Sequence, residues 1–500
     1  MKNILKTVIH KMKVKPGLFL AALFTLALPA LASAAEFYVD PAVTGTGNGS
    51  AAAPWQKLDG SATAAWATIN KALATSDVTV YFSARKATSD VDMPSSVRIS
   101  IARTDTSTNR LTLDGMSKYD TNPASPSWSD YSGPSRFSIT TSSYSIEAGF
   151  GPSKKNYVTV RGFKCKTTGQ SQALYYWGGD HVLFEKNDLS AATSVAFFDY
   201  AHRPDPTDTR QNGGCTDITF RNNTIHDSTG EGIYIGGSSD TGLPAHSYVT
   251  LQGNNIYNTG INGGQGDCID MKDGLSNVVV QGNVCANGSG SGADGISSHS
   301  PARIINNVIY GMADTGITLN TYWGNGYSGA TIRNNLIFKN GGTGISISTS
   351  STSKPISNTV IDHNTIASNT GNGITVASTG GAISGLTVTN NIVSTNKAYG
   401  VKISTDITAQ TVADNDVYGN TSGNYSSIAN QTNNNGNISG DPLYVNAANP
   451  AGSDGVFWTP DDGYRITTNS PAFSASSTGG PMGALIPKIL KPPVLTLVSD

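Results

Sequence analysis

Asn335-Leu336-Ile337-Phe338-Lys339-Asn340-Gly341-Gly342-Thr343-Gly344-Ile345-Ser346-Ile347 is answered 29 residues later by Asn364-Thr365-Ile366-Ala367-Ser368-Asn369-Thr370-Gly371-Asn372-Gly373-Ile374-Thr375-Val376. Two short phrases recur in this stretch, Asn-x-aliphatic and Gly-aliphatic-x-aliphatic. The first is found at Asn187, Asn223, Asn254, Asn283, Asn307, Asn335, Asn364, Asn391 and Asn415, at spacings of 36, 31, 29, 24, 28, 29, 27 and 24. The second is found at Gly232, Gly295, Gly316, Gly344, Gly373 and Gly400. A repeat of this period marks a solenoid. Each phrase alternates apolar and polar residues, so each is a short strand with one buried face. Gly and Asn fill the intervals and helical spacing is missing, which suits turns. Strands that recur once per repeat stack in parallel on their own copies. The expected fold is all-β, a right-handed parallel β-helix of at least nine coils.

Outward from this repeat, residues 35–150 are expected to hold the first coils and an N-terminal cap. Trp66, Ile69 and Leu73 follow helical spacing within 62–74, which makes that helix the candidate cap for the open end. Residues 151–430 form the regular coils, with the repeated Asn inside a turn as an amide ladder. Residues 431–500 are expected to close the far end. Asp454, Asp461 and Asp462 there form either a solvated acidic loop or a structural Ca²⁺ site. Residues 1–34 carry Lys2, Lys6, Lys11, Lys13 and Lys15, then an apolar run from Leu18 to Leu28, then small residues up to Ala34. That is the layout of a secretory signal peptide, and it predicts a secreted protein, extracellular or periplasmic.

The chain has 33 basic and 35 acidic residues; removing the five lysines of the leader leaves 28 basic residues and a net charge of −7. No basic stripe remains, which argues against a nucleic acid partner. No second long apolar run exists, so no membrane span is expected. The expected partner is a polysaccharide, and the chain is expected to act as a monomer. Cys165, Cys215, Cys268 and Cys285 show no CxxC spacing. Cys285 occupies a buried aliphatic slot of its repeat, while disulfides stay open for a secreted chain.

The repeat is broken in one place. Counting from the Gly of the second phrase, positions +1 and +3 point inward, and +2 and +4 point outward. Most coils place small neutral residues outward. In Gly266-Asp267-Cys268-Ile269-Asp270-Met271-Lys272, Cys268 replaces the Gly, Asp270 takes +2 and Lys272 takes +4. One coil later His299 takes +4, so Lys272 and His299 are expected to be stacked neighbours. Tyr234 precedes them at +2. Phe198 with Tyr200, and Tyr175 with Trp177, are aligned as an aromatic continuation. Asn320, Tyr322 and Trp323 follow. Aromatics flanking a charged centre suit a long sugar chain. Glu231, Asp267 and Asp294 precede the Gly position in three successive coils. Three carboxylates in one column call for a cation, and oxygen ligands suit Ca²⁺; alternatively, one of them holds a proton.

These Gly-punctuated coils with Asn repeats resemble the pectate-lyase-like β-helix superfamily across roughly residues 36–480. Asp267, Lys272 and the following Ser298-His299 are similar to the site of the alginate lyase and chondroitinase B family. The resemblance implies Asp267 as Ca²⁺ ligand, Lys272 as catalytic base and His299 as a substrate contact. Ser298 stands where that family has Arg; Arg203, Arg210 and Arg303 are the candidates to replace it. The same segment resembles polygalacturonases more weakly, with Gly266 where their paired Asp begins; Asp267 and Asp270 would then act as acid and base. The expected function is cleavage of a uronic-acid polysaccharide by β-elimination. A polygalacturonase-type hydrolase, a uronan C5-epimerase and a non-catalytic glycan-binding surface protein are the alternatives.

Overall fold

Each of the nine Asn-x-aliphatic phrases is a strand, from Asp188–Ser190 through Val284–Ala286 to Asp416–Tyr418, and all nine lie in one parallel sheet. The computed structural model describes residues 34–485 except 42, 44, 60, 84–90, 94–97, 116–117, 120–127, 130–136, 149–153, 170, 191–195, 199–213, 237–245, 323–325, 351–352 and 408–409. The expected leader, Tyr200, Arg203, Arg210 and Trp323 therefore lie outside the described residues, Ala34 apart.

The Gly-aliphatic-x-aliphatic phrases form a second sheet. It includes Ile233–Ile235, Ile269–Met271, Ile296–Ser298, Ile317–Asn320 and Ile345–Thr349. A third sheet, which the two phrases do not reveal, contributes the strand just before each Asn, as in Val278–Gln281 and Ala302–Ile305. We call them sheet II, sheet III and sheet I, so that one coil runs I, II, III. Among the described residues they hold twelve, twelve and thirteen strands, respectively. Each strand pairs in parallel with its own copy one coil on, as Ile296 does with Ile269 and Ile317.

The inward positions stack into dry columns. Ile233, Ile269, Ile296, Ile317, Ile345 and Ile374 are fully buried in one, and Ile235, Met271, Leu319, Ile347 and Val376 in the next. A column of this kind buries each side chain from both sides, worth roughly 1.5–3 kcal/mol per residue.

The corner between sheets I and II is held by Asn. From Asn187 to Asn437 each Nδ2 donates to the Oδ1 of the next Asn at 2.9–3.1 Å. The same Oδ1 accepts the backbone N–H of its predecessor, as Asn364 does for Asn335, and Nδ2 also reaches a carbonyl, as Asn335 does to Ile304. These groups are buried away from water, so leaving them unpaired would cost more than the pairing gains. The residue before each ladder Asn sits in the left-handed region, with φ 55° at Asn222 and 56° at Asn334. That single residue turns the chain, and Asn and Gly tolerate it at least cost.

The helix spans Thr63–Leu73 and buries Trp66, Ile69 and Leu73 against the same core as Val78 and Val80. After residue 430 the chain runs along the outer face of sheet II. Phe457, Trp458 and Tyr464 pack there on Tyr310 and Phe338, and Gly483 and Ala484 bond to Asn390 and Thr365. In that segment Asp461 accepts from Ser453 and Thr459, and Asp462 from the backbone of Trp458. No helix among the described residues is long and apolar enough to cross a membrane.

Candidate active cleft

Sheet III sets the register of the site. Tyr175, Phe197, Tyr234, Asp270, Ser297 and Thr318 follow one another at the outward +2 position of successive coils. The backbone register therefore puts Phe197 in this column, one residue from the expected Phe198. The shift arises because the coil from Ala196 lacks the marker Gly. At +4, Lys272, His299 and Asn320 are consecutive rungs. The backbone N–H of His299 bonds to Met271, and Leu319 pairs with Ser298. Adjacent strands lie about 4.8 Å apart, so these side chains project side by side.

A cleft of about 460 Å³ opens over these rungs, lined by Asp267, Lys272, Asp294, Ser297, His299, Asn320 and Tyr322 among others. Seen from the sequence, Asp267, Lys272, Asp294, His299 and Asn320 come together as expected. Tyr234 stands at the edge, its ring centroid 5.0 Å from Lys272 Nζ, where a cation on an aromatic face is favourable. Trp177 is not in the cleft: it is buried in the core, 5.6 Å from Tyr175 in an edge contact. Arg303 belongs to sheet I, on another face, and does not fill the missing Arg position.

Asp270 lies on the outer face yet is fully buried, and its Oδ2 is 2.5 Å from Lys272 Nζ. Burial pushes the Asp270 carboxyl up to about 6, against the opposing pull of Lys272. One step along, His299 is buried and its Nδ1 has no hydrogen-bond partner among the described residues. Burial, then the charge of Lys272, pushes His299 down to about 4. At neutral pH it is a neutral imidazole.

The acidic column is real. Gly232 N–H bonds to the Asp267 carbonyl, and Cys268 N–H to that of Asp294, which makes Glu231, Asp267 and Asp294 successive rungs. Their side chains do not converge on a common point. Asp267 Oδ1 accepts the N–H of Asp294 at 2.8 Å, and Oδ2 faces Gln265; Asp294 Oδ1 accepts the N–H of Thr315 at 3.0 Å. Among the described residues no group of three or more His, Cys, Asp or Glu is placed to hold a metal ion. One oxygen each of Asp267 and Asp294 accepts the next rung's amide, and burial of these carboxyls favours their neutral form. Burial, then Asp270 and Asp294, push Asp267 well above the usual carboxylate range. Burial raises Asp294 to about 7 despite bonds from Thr318 and Thr315.

The interior beneath the cleft is also rebuilt. In ordinary coils a Cβ at the marker Gly would meet the branched side chain of the next coil, 2.5 Å from Ile337 at Gly316 and 2.4 Å from Ile366 at Gly344. Cys268 places a Cβ there, and the facing residue is Cys285, smaller than Ile by a branch. The two cysteines are one paired replacement, and all four cysteines are free and buried. A second Asn ladder, Asn340–Asn369–Asn396–Asn420, staples the corner between sheets II and III in later coils. At the cleft its places hold Thr259, Gly288 and Met312, and Met312 Sδ lies 3.8 Å from Cys268 Sγ. The signal was present in the sequence as the Asn five residues after each ladder Asn, and as its loss before Asn335.

A three-sheet parallel coil with a polar cleft on one sheet defines the class by fold: a parallel β-helix protein. Residues 209–385 match the family described as right handed beta helix region. No curated protein matches the chain. Among solved structures, the A-module of the Azotobacter vinelandii mannuronan C-5 epimerase AlgE4 is similar at 15% identity, over 78% of this chain and 100% of that one, with a TM-score of 0.47. The pectate lyase Pel9A is similar at 15% identity over 91% and 97%, with a TM-score of 0.38. The alginate lyase of Paenibacillus sp. str. FPU-7 is similar at 16% identity over 64% and 95%, with a TM-score of 0.29. Likeness at these identities extends to the fold alone.

Proposed function

We propose that the cleft acts on an acidic polysaccharide by removing the proton next to a uronate carboxylate, with elimination as the outcome. The observation that carries this is the buried Asp270–Lys272 pair standing beside a neutral His299 in one cleft. Lys272 pairs with the substrate carboxylate and lowers the barrier to forming an enolate-like centre. The neutral imidazole of His299 accepts the C5 proton. The C5–H electrons form the C4–C5 double bond, and the C4–O bond breaks. Asp294, held in its acid form, supplies the proton to the departing oxygen. The base is thus His299 rather than the expected Lys272, because an ammonium held 2.5 Å from a buried carboxylate is suited to neutralise charge rather than to take up a proton. Return of the proton to the other face of C5 would give epimerisation from the same machinery.

The column of Asp267 and Asp294 favours a second chemistry, hydrolysis with one carboxyl as acid and the other as base. Incubation with alginate and polygalacturonate separates the outcomes. Ultraviolet absorbance of an unsaturated product supports elimination. Deuterium entering C5 from heavy water without that absorbance supports epimerisation. New reducing ends with neither signal support hydrolysis, and binding without turnover supports a glycan-binding protein. The basic-then-apolar start of the chain supports an activity outside the cytoplasm, which the N-terminal residue of the mature protein tests.

A further inference from the structure

A second groove, about 660 Å³, lies on sheet I, away from the cleft of sheet III; Tyr248, Thr250, Ser276, Asn277 and Arg303 line it. At the start of many sheet I strands the chain passes through one left-handed residue. Tyr157, His181, Asp217, Tyr248, Asn277 and Asn358 hold φ of 54°, 58°, 56°, 55°, 52° and 52° there, and Gly329 and Gly385 take the place in later coils. Asn, Asp and Gly adopt this conformation at little cost, and a bulky aromatic does not. Tyr157 and His181 are compensated: their rings stack 4.6 Å apart, and His181 Nδ1 is 2.9 Å from Asp217. Tyr248 is different, because its side chain stands 62% exposed, the largest-but-one exposure among large hydrophobics described. Backbone strain spent on an aromatic ring that faces water points outward, to a ligand.

Arg303 supplies the second half of the groove. Thr250, Val279 and Arg303 occupy one outward column of sheet I, so Arg303 stands two rungs from Thr250, about 9.6 Å along the axis. It is exposed and makes no ion pair with any described residue. We infer that this groove is a second, non-catalytic site for a strand of acidic polysaccharide. One sugar ring stacks on Tyr248, the hydroxyls meet Thr250, Ser276 and Asn277, and a carboxylate further along pairs with Arg303. Its choice of an acidic chain rests on the proposed uronate chemistry. Its role is to hold the polymer against the molecule while the cleft works on another segment, which raises the local concentration of substrate.

The test is native electrophoresis in gels containing alginate, polygalacturonate or neutral dextran, with wild type, Tyr248→Asn and Arg303→Gln. Asn suits the left-handed corner, as at Asn277 and Asn358, so Tyr248→Asn is expected to fold, checked by its melt. Both variants should bind the acidic gels about five- to tenfold more weakly, while turnover of short oligouronides stays at the wild-type level. Unchanged retardation of both variants, or equal retardation by dextran, overturns the second site and leaves the proposed chemistry standing. Failure of the wild type either to bind or to turn over a uronate polymer overturns both.

Discussion

Asp294→Asn tests the electrostatics of the cleft most directly. Asp294 is raised from 3.8 to about 7, first by burial and then by Asp314 and Asp270. In the unfolded chain the group titrates near its ordinary value. Between these two values the folded protein holds a proton that the unfolded chain has released. Stability from this group is therefore complete below about pH 4 and is lost as pH rises through about 7. A shift of about 3 units at about 1.4 kcal/mol per unit sets a ceiling of about 4 kcal/mol. The realised value is smaller, because Asp267 shares the repulsion and the site relaxes. Asn keeps the Oδ1 that accepts the Thr315 N–H at 3.0 Å and carries no charge at any pH. The variant should match wild type at pH 4 and exceed it at pH 8, with the gap opening between them. Urea denaturation followed by circular dichroism from pH 4 to 9 measures this. Parallel curves for the two proteins, or a gap that closes toward high pH, would refute the claim that Asp294 is buried at a cost.

Lys272→Ala should abolish turnover and also destabilise the protein by about 3–5 kcal/mol at pH 8, since it leaves Asp270 as an unpaired buried charge; adding Asp270→Asn should recover the denaturation midpoint but not activity. Ile317→Ala removes a fully buried side chain from a stacked column and should cost about 2–5 kcal/mol; a negligible change would mean that the inward and outward positions are reversed. The kcat/KM profile on a uronate polymer should rise through about pH 4 as His299 becomes neutral and fall through about pH 7 as Asp294 loses its proton; a flat profile across that range would remove both from their roles.

The coils were legible because a solenoid writes the same contact many times. One ladder Asn with its two flanking positions carries little information, but nine in register define strand, turn and stacking direction together. Sheet I escaped because its alternating apolar pairs, such as Ile218 with Phe220, Val249 with Leu251 and Val278 with Val280, carry no fixed marker residue of their own. The cleft was legible where outward residues depart from small neutral ones, which found Asp270, Lys272 and His299. It failed where the marker Gly is missing, which displaced the expected register by one at Phe197. For the acidic column, sequence places three carboxylates on adjacent rungs but does not say which oxygens accept the next rung's amide, as one oxygen each of Asp267 and Asp294 does. That depends on side-chain direction at irregular turns.

The loss of the second Asn staple under the cleft has a mechanical meaning. A stack of coils is held by nearest-neighbour interfaces, and it yields first at the weakest of them. From Asn340 onward each rung is clamped at two corners by amide chains, and from Met312 back to Thr259 at one. Stretching, heat or a protease searching for an opening would find the coils before Asn340 the more yielding part of the stack, and the candidate cleft lies where the two parts meet. That difference along the stack is built in by omission, through a few positions at which Asn is absent.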